Sequence, residues 1–267
     1  MNMNAVREDD QRKKTAIRAA RAAGDELRLY KGRALNVSYK RAIDPVTDAD
    51  RAAEAVILRI IREVYPEEPI LSEESAPQGV PDSGWVIDPL DGTTNFSRGY
   101  PLFGPSIAWL NEDGRVDLGV VYNPLLDELY WAVRGSGAWC NERRLHVSQT
   151  SALNRALLSS GAPYDVQERP AAALDPWAEL LPRALSLRQD GSAALDLCHV
   201  AAGYTDAHFE VGLAPWDVAA GILLVEEAGG RVTTYQGAPF ALTSASILAS
   251  NGLLHETLLE TLHGVSL

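Results

Sequence analysis

The stretch Trp85-Val86-Ile87-Asp88-Pro89-Leu90-Asp91-Gly92-Thr93-Thr94-Asn95 holds the residue types best suited to chemistry in this chain. An apolar strand delivers Asp88 to its carboxyl end. Pro89 withholds a ladder donor and keeps Asp88 extended, so the chain must turn there. Asp91 returns three residues later, Gly92 permits a close approach, and Thr93-Thr94-Asn95 are good residues to open a helix. Two carboxylates with a backbone carbonyl between them suit a hard cation such as magnesium. The amides of a helix start just beyond would suit a phosphate. The same residues could equally form an Asp-Pro turn and a capped helix with no metal.

Three further acidic clusters occupy comparable places. Leu71-Ser72-Glu73-Glu74-Ser75 sets two acids at the end of a short strand, where a solvated loop is the plain alternative. Pro215-Trp216-Asp217 opens a helix over Val218–Ala228 that Gly229-Gly230 ends, and Asp217 could simply be its N-cap. Asp50 follows Thr47 by three residues, as in a capping box. Four acidic clusters, each at a strand end or helix start, form a pattern that single caps do not explain.

The elements that must position these acids can be read from periodicity. Ala16, Ala20, Ala23, Leu27 and Tyr30 recur at helical spacing within about Asn4–Tyr30, and Gly32 is a stop. Ala53, Val56, Ile57, Ile60, Ile61 and Val64 form the stripe of a second helix before Pro66. Ile70–Ser72 and Trp85–Ile87 are short strands. From Pro105 to about Val147, turn signals at Asn111–Gly114 and Asn123-Pro124 predict an antiparallel meander. Pro105 should place its strand at an edge or a bulge. Beyond about Thr150, strands at Ala156–Ser159, Ala207–Val211, Arg231–Tyr235 and Ile247–Ala249 alternate with helices at Ser192–Ala202, Asp217–Ala228 and Leu253–Leu262. The expectation is an α+β half over residues 1–150, carrying most acidic motifs, packed as one unit on an α/β half over 151–267.

The whole chain narrows the function classes. Its 267 residues are 46% hydrophobic and 22% charged, a globular profile rather than a disordered or coiled-coil one. Lys and Arg total 24 against 36 Asp and Glu, a net charge of −12, which argues against nucleic acid or an anionic membrane as partner. Two cysteines, Cys140 and Cys198, are too few for a disulfide framework, and Cys198 falls on an apolar helix face. The charged segment Met1–Lys14 lacks the core of a signal peptide, and no run reaches about 18 apolar residues. A cytoplasmic protein is expected.

Taken in order, Asp44-Pro45-Val46-Thr47-Asp48-Ala49-Asp50, Ser72-Glu73-Glu74-Ser75, Asp88 through Phe96, and Trp216-Asp217 through Gly229-Gly230 resemble the inositol monophosphatase family over about residues 35–250. This family belongs to the magnesium-dependent, lithium-sensitive phosphatases. The resemblance implies a layered αβαβα sandwich, a homodimer, and in-line attack of a metal-activated water on inositol 1-phosphate or a similar small polyol or sugar phosphate. It implies that Glu73, Asp88 and the Leu90 carbonyl hold one Mg2+ and that Asp88, Asp91 and Asp217 hold a second, with Glu73 serving a weaker third. Asp50 and Thr93 would orient and deprotonate the attacking water. Gly92 and Thr93 amides would cradle the phosphate, and Gly191, Ser192, Ala193 and Glu210 would contact the alcohol. Glu74 would be a supporting or solvated neighbour. The metals, rather than lysines, would then attract the phosphate in a pocket of about five acids.

Other readings fit less well. The two residues between Asp88 and Asp91 depart from the aspartyl-phosphate phosphatases of the haloacid dehalogenase type, which resemble a pattern with one. Gly135-Ser136-Gly137 lacks a third glycine and sits in hairpin context, so it reads as a loop. His255-Glu256 lacks a second histidine at Leu259; His146, His199, His208 and His263 read as structural or surface residues, and Arg143-Arg144 as a solvated turn. On the same scaffold a bisphosphate nucleotidase, a fructose bisphosphatase or a histidinol-phosphate phosphatase are alternatives, as is a non-catalytic binding paralogue, although no matched acid is missing. Asp190, beside Gly191-Ser192-Ala193, would disfavour a second phosphate if it faces the pocket.

Overall fold

The computed structural model describes residues 3–32, 37–41, 44–75 and 79–265. Helix α1 (Met3–Tyr30) packs along α2 (Asp48–Val64), with a small hairpin of β1 (Val37–Arg41) and β2 (Asp44–Thr47) between them in sequence. Ala16, Ala19, Ala20 and Ala23 of α1 are fully buried and belong to one apolar cluster with Ala49 and Ala53 of α2. Small side chains there let two helices approach closely. Ile57, Ile60 and Ile61 continue the buried face of α2, each contributing about 1.5–3 kcal/mol of burial. Arg12 lies 4.1 Å over the Trp109 ring and 4.9 Å over Tyr65, fastening α1 to the sheet beneath. Gly32, at φ +76, follows the end of α1.

That sheet has seven strands in sequential order: β3 (Ile70–Ser72), β4 (Gly84–Asp91), β5 (Gly104–Leu110), β6 (Val116–Asn123), β7 (Glu128–Val133), β8 (Ala138–Cys140) and β9 (Arg143–Arg144). Only β3 and β4 run parallel; the rest is the expected meander. Pro105 does not make β5 an edge, because β5 pairs with β4 on one side and β6 on the other. Its register with β4 slips between Asp88 and Asp91, so Pro89 and Leu90 oppose Pro105 alone. Both prolines therefore sit in one bulge, where a missing donor breaks no ladder bond. The bulge also splays Asp88 and Asp91 out of strand alternation. Arg143-Arg144 is an exposed edge strand rather than a turn.

After the short α3 (Thr93–Arg98), the remaining helices frame a second sheet. It is ordered β11 (Ser186–Arg188), β10 (Leu157–Ser160), β12 (Ala207–Val211), β14 (Ser246–Ser250) and β13 (Arg231–Thr233), with β14 antiparallel to both neighbours. Helices α5 (Ala193–Ala201) and α6 (Pro215–Glu227) share an apolar cluster with strands of both sheets. Helices α4 (Pro170–Leu180) and α7 (His255–Leu262) cover the other face of the second sheet. The layers run α1/α2, sheet, α5/α6, sheet, α4/α7, which is the αβαβα sandwich. Cys140 and Cys198 are both buried in the middle cluster.

Candidate active site

The starts of α3, α5 and α6, the end of β4, the loop after β3 and the end of β12 meet at one cleft of ≈630 Å³. Asp88, Asp91 and Asp217 are buried there with ligating oxygens all within 4.8 Å of one another. Burial raises the Asp88 carboxyl well above its ordinary range, reinforced by Glu73, Asp91 and Asp217. Burial, then Asp91 and Glu73, does the same to Asp217. Asp91 is pushed up to about 7 by burial, against the downward pull of hydrogen bonds from Ser192 and the Ala194 amide. Three buried carboxylates that resist ionisation together, and offer only oxygen donors, fit a hard divalent cation. The Leu90 carbonyl also lines the cleft.

Local structure explains each placement. Asp88 Oδ1 accepts from the Leu90 amide at 2.9 Å, which folds the bulge onto its own carboxylate. Asp217 is the third residue of α6 rather than its N-cap; its Oδ2 reaches back to the Ala214 amide at 2.7 Å, with Pro215 at the first turn. Gly119, opposite α6, has no room for a Cβ, which would lie 2.7 Å from the Ala220 carbonyl. That contact sets how closely α6, and so Asp217, approaches the first sheet.

Glu73 lines the cleft, yet its Oε1 is 2.9 Å from Lys40 Nζ, which also reaches Glu74 at 2.5 Å. Glu74, pushed up to about 7 chiefly by burial, is therefore held rather than solvated. The Ser72–Ser75 turn is itself fixed by buried Glu54 of α2, which accepts from Ser72 Oγ at 2.5 Å, the Ser75 amide at 3.1 Å and Ser75 Oγ at 3.0 Å. Lys40 and Glu54 were not singled out from sequence. The i,i+4 spacing of Glu54 from Asp50, on the same stripe of α2 as Ala53 and Ile57, is the signal that could have found the latter.

Asp50 does make the capping box: its Oδ2 accepts from the Thr47 amide at 2.7 Å and Thr47 Oγ1 at 2.6 Å. Its other oxygen, Oδ1, lies 2.9 Å from Thr93 Oγ1, and that hydroxyl is 3.0 Å from the Leu90 carbonyl. Burial raises the Asp50 carboxyl while Thr47 restrains the rise. Cap and cleft are thus served by opposite faces of one carboxylate.

The loop Asp190-Gly191-Ser192-Ala193 lines the same cleft. Ser192 Oγ donates to Asp91 Oδ2, which also accepts from the Ala194 amide at 2.8 Å, so α5 begins on a carboxylate more than 100 residues earlier in sequence. Asn95 Nδ2 lies 2.7 Å from both the Leu102 and Asp190 carbonyls and ties this loop to α3. Gly92, at φ +85, stands before the first turn of α3, whose leading amides have no intrahelical acceptor. Glu210, at the end of β12, also lines the cleft, as does Asp190. Gly161 lacks the Cβ that would strike the Glu210 carboxylate.

The other sequence motifs lie elsewhere. The Gly135 and Gly137 amides donate to Glu227 at 2.8 and 2.7 Å, a structural loop. His255 is buried between Thr233 and Ser250, at 2.9 and 2.7 Å. His208, fully buried, sits beneath the cleft with Nδ1 3.0 Å from Ser159 Oγ.

Comparisons with known proteins agree with this geometry. The family model described as the inositol monophosphatase family matches residues 8–267. The inositol-1-monophosphatase of Synechocystis sp. is 43% identical, covering 92% of this chain and 87% of its own length. The Nus factor SuhB of Pasteurella multocida is 44% identical, covering 88% of this chain and 89% of its own. The solved inositol monophosphatase of Anabaena (Nostoc) sp. superposes with TM-score 0.87 at 42% identity, over 96% of this chain and 97% of that one. With a layered sandwich, an oxygen-donor cleft and matches along nearly its full length, the chain belongs to the inositol monophosphatase family and is a metal-dependent phosphatase.

Proposed function

We propose that the enzyme hydrolyses inositol 1-phosphate, or a similar small polyol or sugar phosphate, with Mg2+ as its cofactor. The observation that carries this reading is the trio Asp88, Asp91 and Asp217 converging in a cleft that Glu210 and the Gly191–Ala193 loop also line. In the proposed arrangement, Glu73, Asp88 and the Leu90 carbonyl hold one ion, Asp88, Asp91 and Asp217 a second, and Glu73 a weaker third. When bound, the ions would supply Lewis acidity and offset the charge developing on the phosphoryl oxygens.

The chain's own residues supply the rest. Asp50 Oδ1 takes the proton of the attacking water through Thr93 Oγ1, and its raised pKa makes it the stronger base. Gly92 and Thr93 amides receive the phosphate, with no side chain at Gly92 to obstruct it. Ser192 holds Asp91 in place. Glu210 accepts hydrogen bonds from hydroxyls of the alcohol, near the Gly191, Ser192 and Ala193 main chain. No protein nucleophile is required. The family resemblance extends the proposal to a homodimer.

Asp190 in the cleft favours monophosphates over bisphosphates, because a second phosphate would meet its carboxylate. The test is phosphate release from inositol 1-phosphate with Mg2+ or chelator, beside fructose 1,6-bisphosphate, a nucleoside bisphosphate and histidinol phosphate. Mg2+-dependent release that is fastest from inositol 1-phosphate is expected. Preference for a bisphosphate that survives in Asp190→Ala would overturn the substrate assignment, and no release from any ester would leave a binding role.

A further inference from the structure

A second cluster of ligating side chains stands beside the catalytic acids. Asp190, Asp196 and His199 each offer one ligand atom, a carboxylate oxygen or a ring nitrogen, and the three atoms all lie within 4.8 Å of one another. Apart from Asp88, Asp91 and Asp217, no other group of this kind occurs among the described residues. His199 takes no part in the reaction proposed above and is not among the residues that line the cleft.

Backbone and packing hold the three in place. Asp196 and His199 are three residues apart on α5 and so share one side of that helix. Asp190 stands just ahead of α5, its carbonyl held by Asn95 Nδ2 at 2.7 Å and its chain turned by Gly191 at φ +80. Asp196 is 1% exposed; its Oδ2 is 3.7 Å from His208 Nδ1, while its Oδ1 has no hydrogen-bond partner. A buried acceptor without a donor is an unfavourable arrangement that a bound cation would relieve. Burial, then Asp190, Glu210 and Asp91, raises the Asp196 carboxyl well above its ordinary range, as expected of an acid that lacks a counter-charge. Burial lowers the His199 pKa, against the upward pull of Asp190 and Glu128, which favours the neutral imidazole that ligates metals.

We propose that Asp190, Asp196 and His199 form a binding site for a divalent transition-metal ion such as Zn2+, additional to the Mg2+ sites of the phosphatase. Two carboxylates balance the charge of the ion, and with the imidazole they leave one position of a tetrahedron to water. Ligands about 2.1 Å from one zinc ion stand roughly 3.4 Å apart, a spacing these atoms reach by small side-chain rotations. The imidazole sets the selectivity: Mg2+ keeps to oxygen ligands and holds its water, whereas Zn2+, Co2+ and Ni2+ take nitrogen readily. With Mg2+ alone, Asp190 therefore keeps its charge towards the cleft. A transition metal would tie the Asp190–Ser192 loop to α5, next to the Ser192 hydroxyl that holds Asp91. This site goes beyond the reaction proposed above and stands or falls without it.

The experiment titrates Zn2+ calorimetrically into the full-length enzyme at pH 7.5 in excess Mg2+, and examines the loaded protein by zinc X-ray absorption. One Zn2+ per chain is expected, in a shell of nitrogen and oxygen that includes one imidazole. His199→Ala should weaken binding at least about a hundredfold, since losing a mere supporting partner of a ligand already costs about 10–100-fold. Asp190→Asn should weaken it as well. Zn2+ should raise the melting temperature of the Mg2+-loaded wild type and leave that of His199→Ala unmoved. The wild-type spectrum carries the test alone if a variant does not fold. No Zn2+ bound in the presence of Mg2+ would overturn the inference. So would an all-oxygen shell, which would put zinc on the Asp88–Asp91–Asp217 trio, or an unchanged affinity in folded His199→Ala, which would put it on another histidine. Phosphate release is not read at any point, so failure here and failure of the phosphatase reading are distinct.

Discussion

Replacing Asp91 by asparagine should stabilise the metal-free fold while destroying the proposed metal site. The Asp91 carboxyl is raised from 3.8 to about 7, with burial as the largest cause. The native state therefore binds this proton more tightly than the unfolded chain does. The associated stability is full below pH 3.8 and is lost as pH rises through about 7. About three pH units at 1.36 kcal/mol each gives a cost on the order of 4 kcal/mol in the metal-free protein at pH 8. Asparagine retains an acceptor for Ser192 Oγ and the Ala194 amide but carries no charge. At about 2–4 °C per kcal/mol, metal-free Asp91→Asn should melt roughly 10 °C above the metal-free wild type at pH 8. The two should converge near pH 4. Added Mg2+ should raise the melting temperature of the wild type and leave the variant unmoved, with Mg2+-dependent phosphate release abolished. Calorimetric melts at pH 4, 6 and 8, with chelator or Mg2+, supply every comparison. A metal-free variant melting at or below the wild type at pH 8 would refute the assignment of this strain to a buried carboxylate.

Further substitutions probe the supports of the site. Thr47→Val removes the hydroxyl that bonds Asp50 Oδ2 at 2.6 Å, so the Asp50 carboxyl rises; the acid limb of the kcat/KM profile should move to higher pH and the fold should lose about 1 kcal/mol in urea titration. Gly119→Ala sets a Cβ 2.7 Å from the Ala220 carbonyl and 2.9 Å from its Cα, forcing α6 off the sheet. This should cost about 1–3 kcal/mol in urea and raise the Mg2+ concentration for half-maximal activity, because α6 carries Asp217. Ser192→Ala deletes the cap of α5 and a hydrogen bond that lowers the Asp91 pKa. It should cost about 0.5–2 kcal/mol and raise the half-saturating Mg2+ concentration more at pH 7 than at pH 9, where protons no longer compete.

Much of this molecule was legible from local signals, and the failures have local causes too. The stripes of α1 and α2, the meander and the strand–helix alternation follow from periodicity that tertiary context did not override. Helix α4 was missed because Pro176 lies inside it and Asp175-Pro176 reads as a break, although the helix forms on the outer face of the second sheet. Strand β11, three residues long, and the β1–β2 hairpin are too short for a periodic signal. Pro105 left an edge and a bulge as alternatives, and only pairing on both sides of β5 excluded the edge and placed a bulge in the middle of the sheet, between Asp88 and Asp91.

The sequence by itself determined the acidic motifs, their order and the elements that bear them, because caps, turns and apolar stripes depend on residues close along the chain. Only the tertiary structure decided what those acids meet. Asp91 holds the start of α5 through Ser192 and Ala194; Lys40 draws Glu73 and Glu74; Glu54 braces their turn; Asp196 is left buried with an unpartnered oxygen. Most of these contacts join segments tens to more than a hundred residues apart. Their existence depends on how two sheets and three layers of helix close upon one another, which no local pattern encodes.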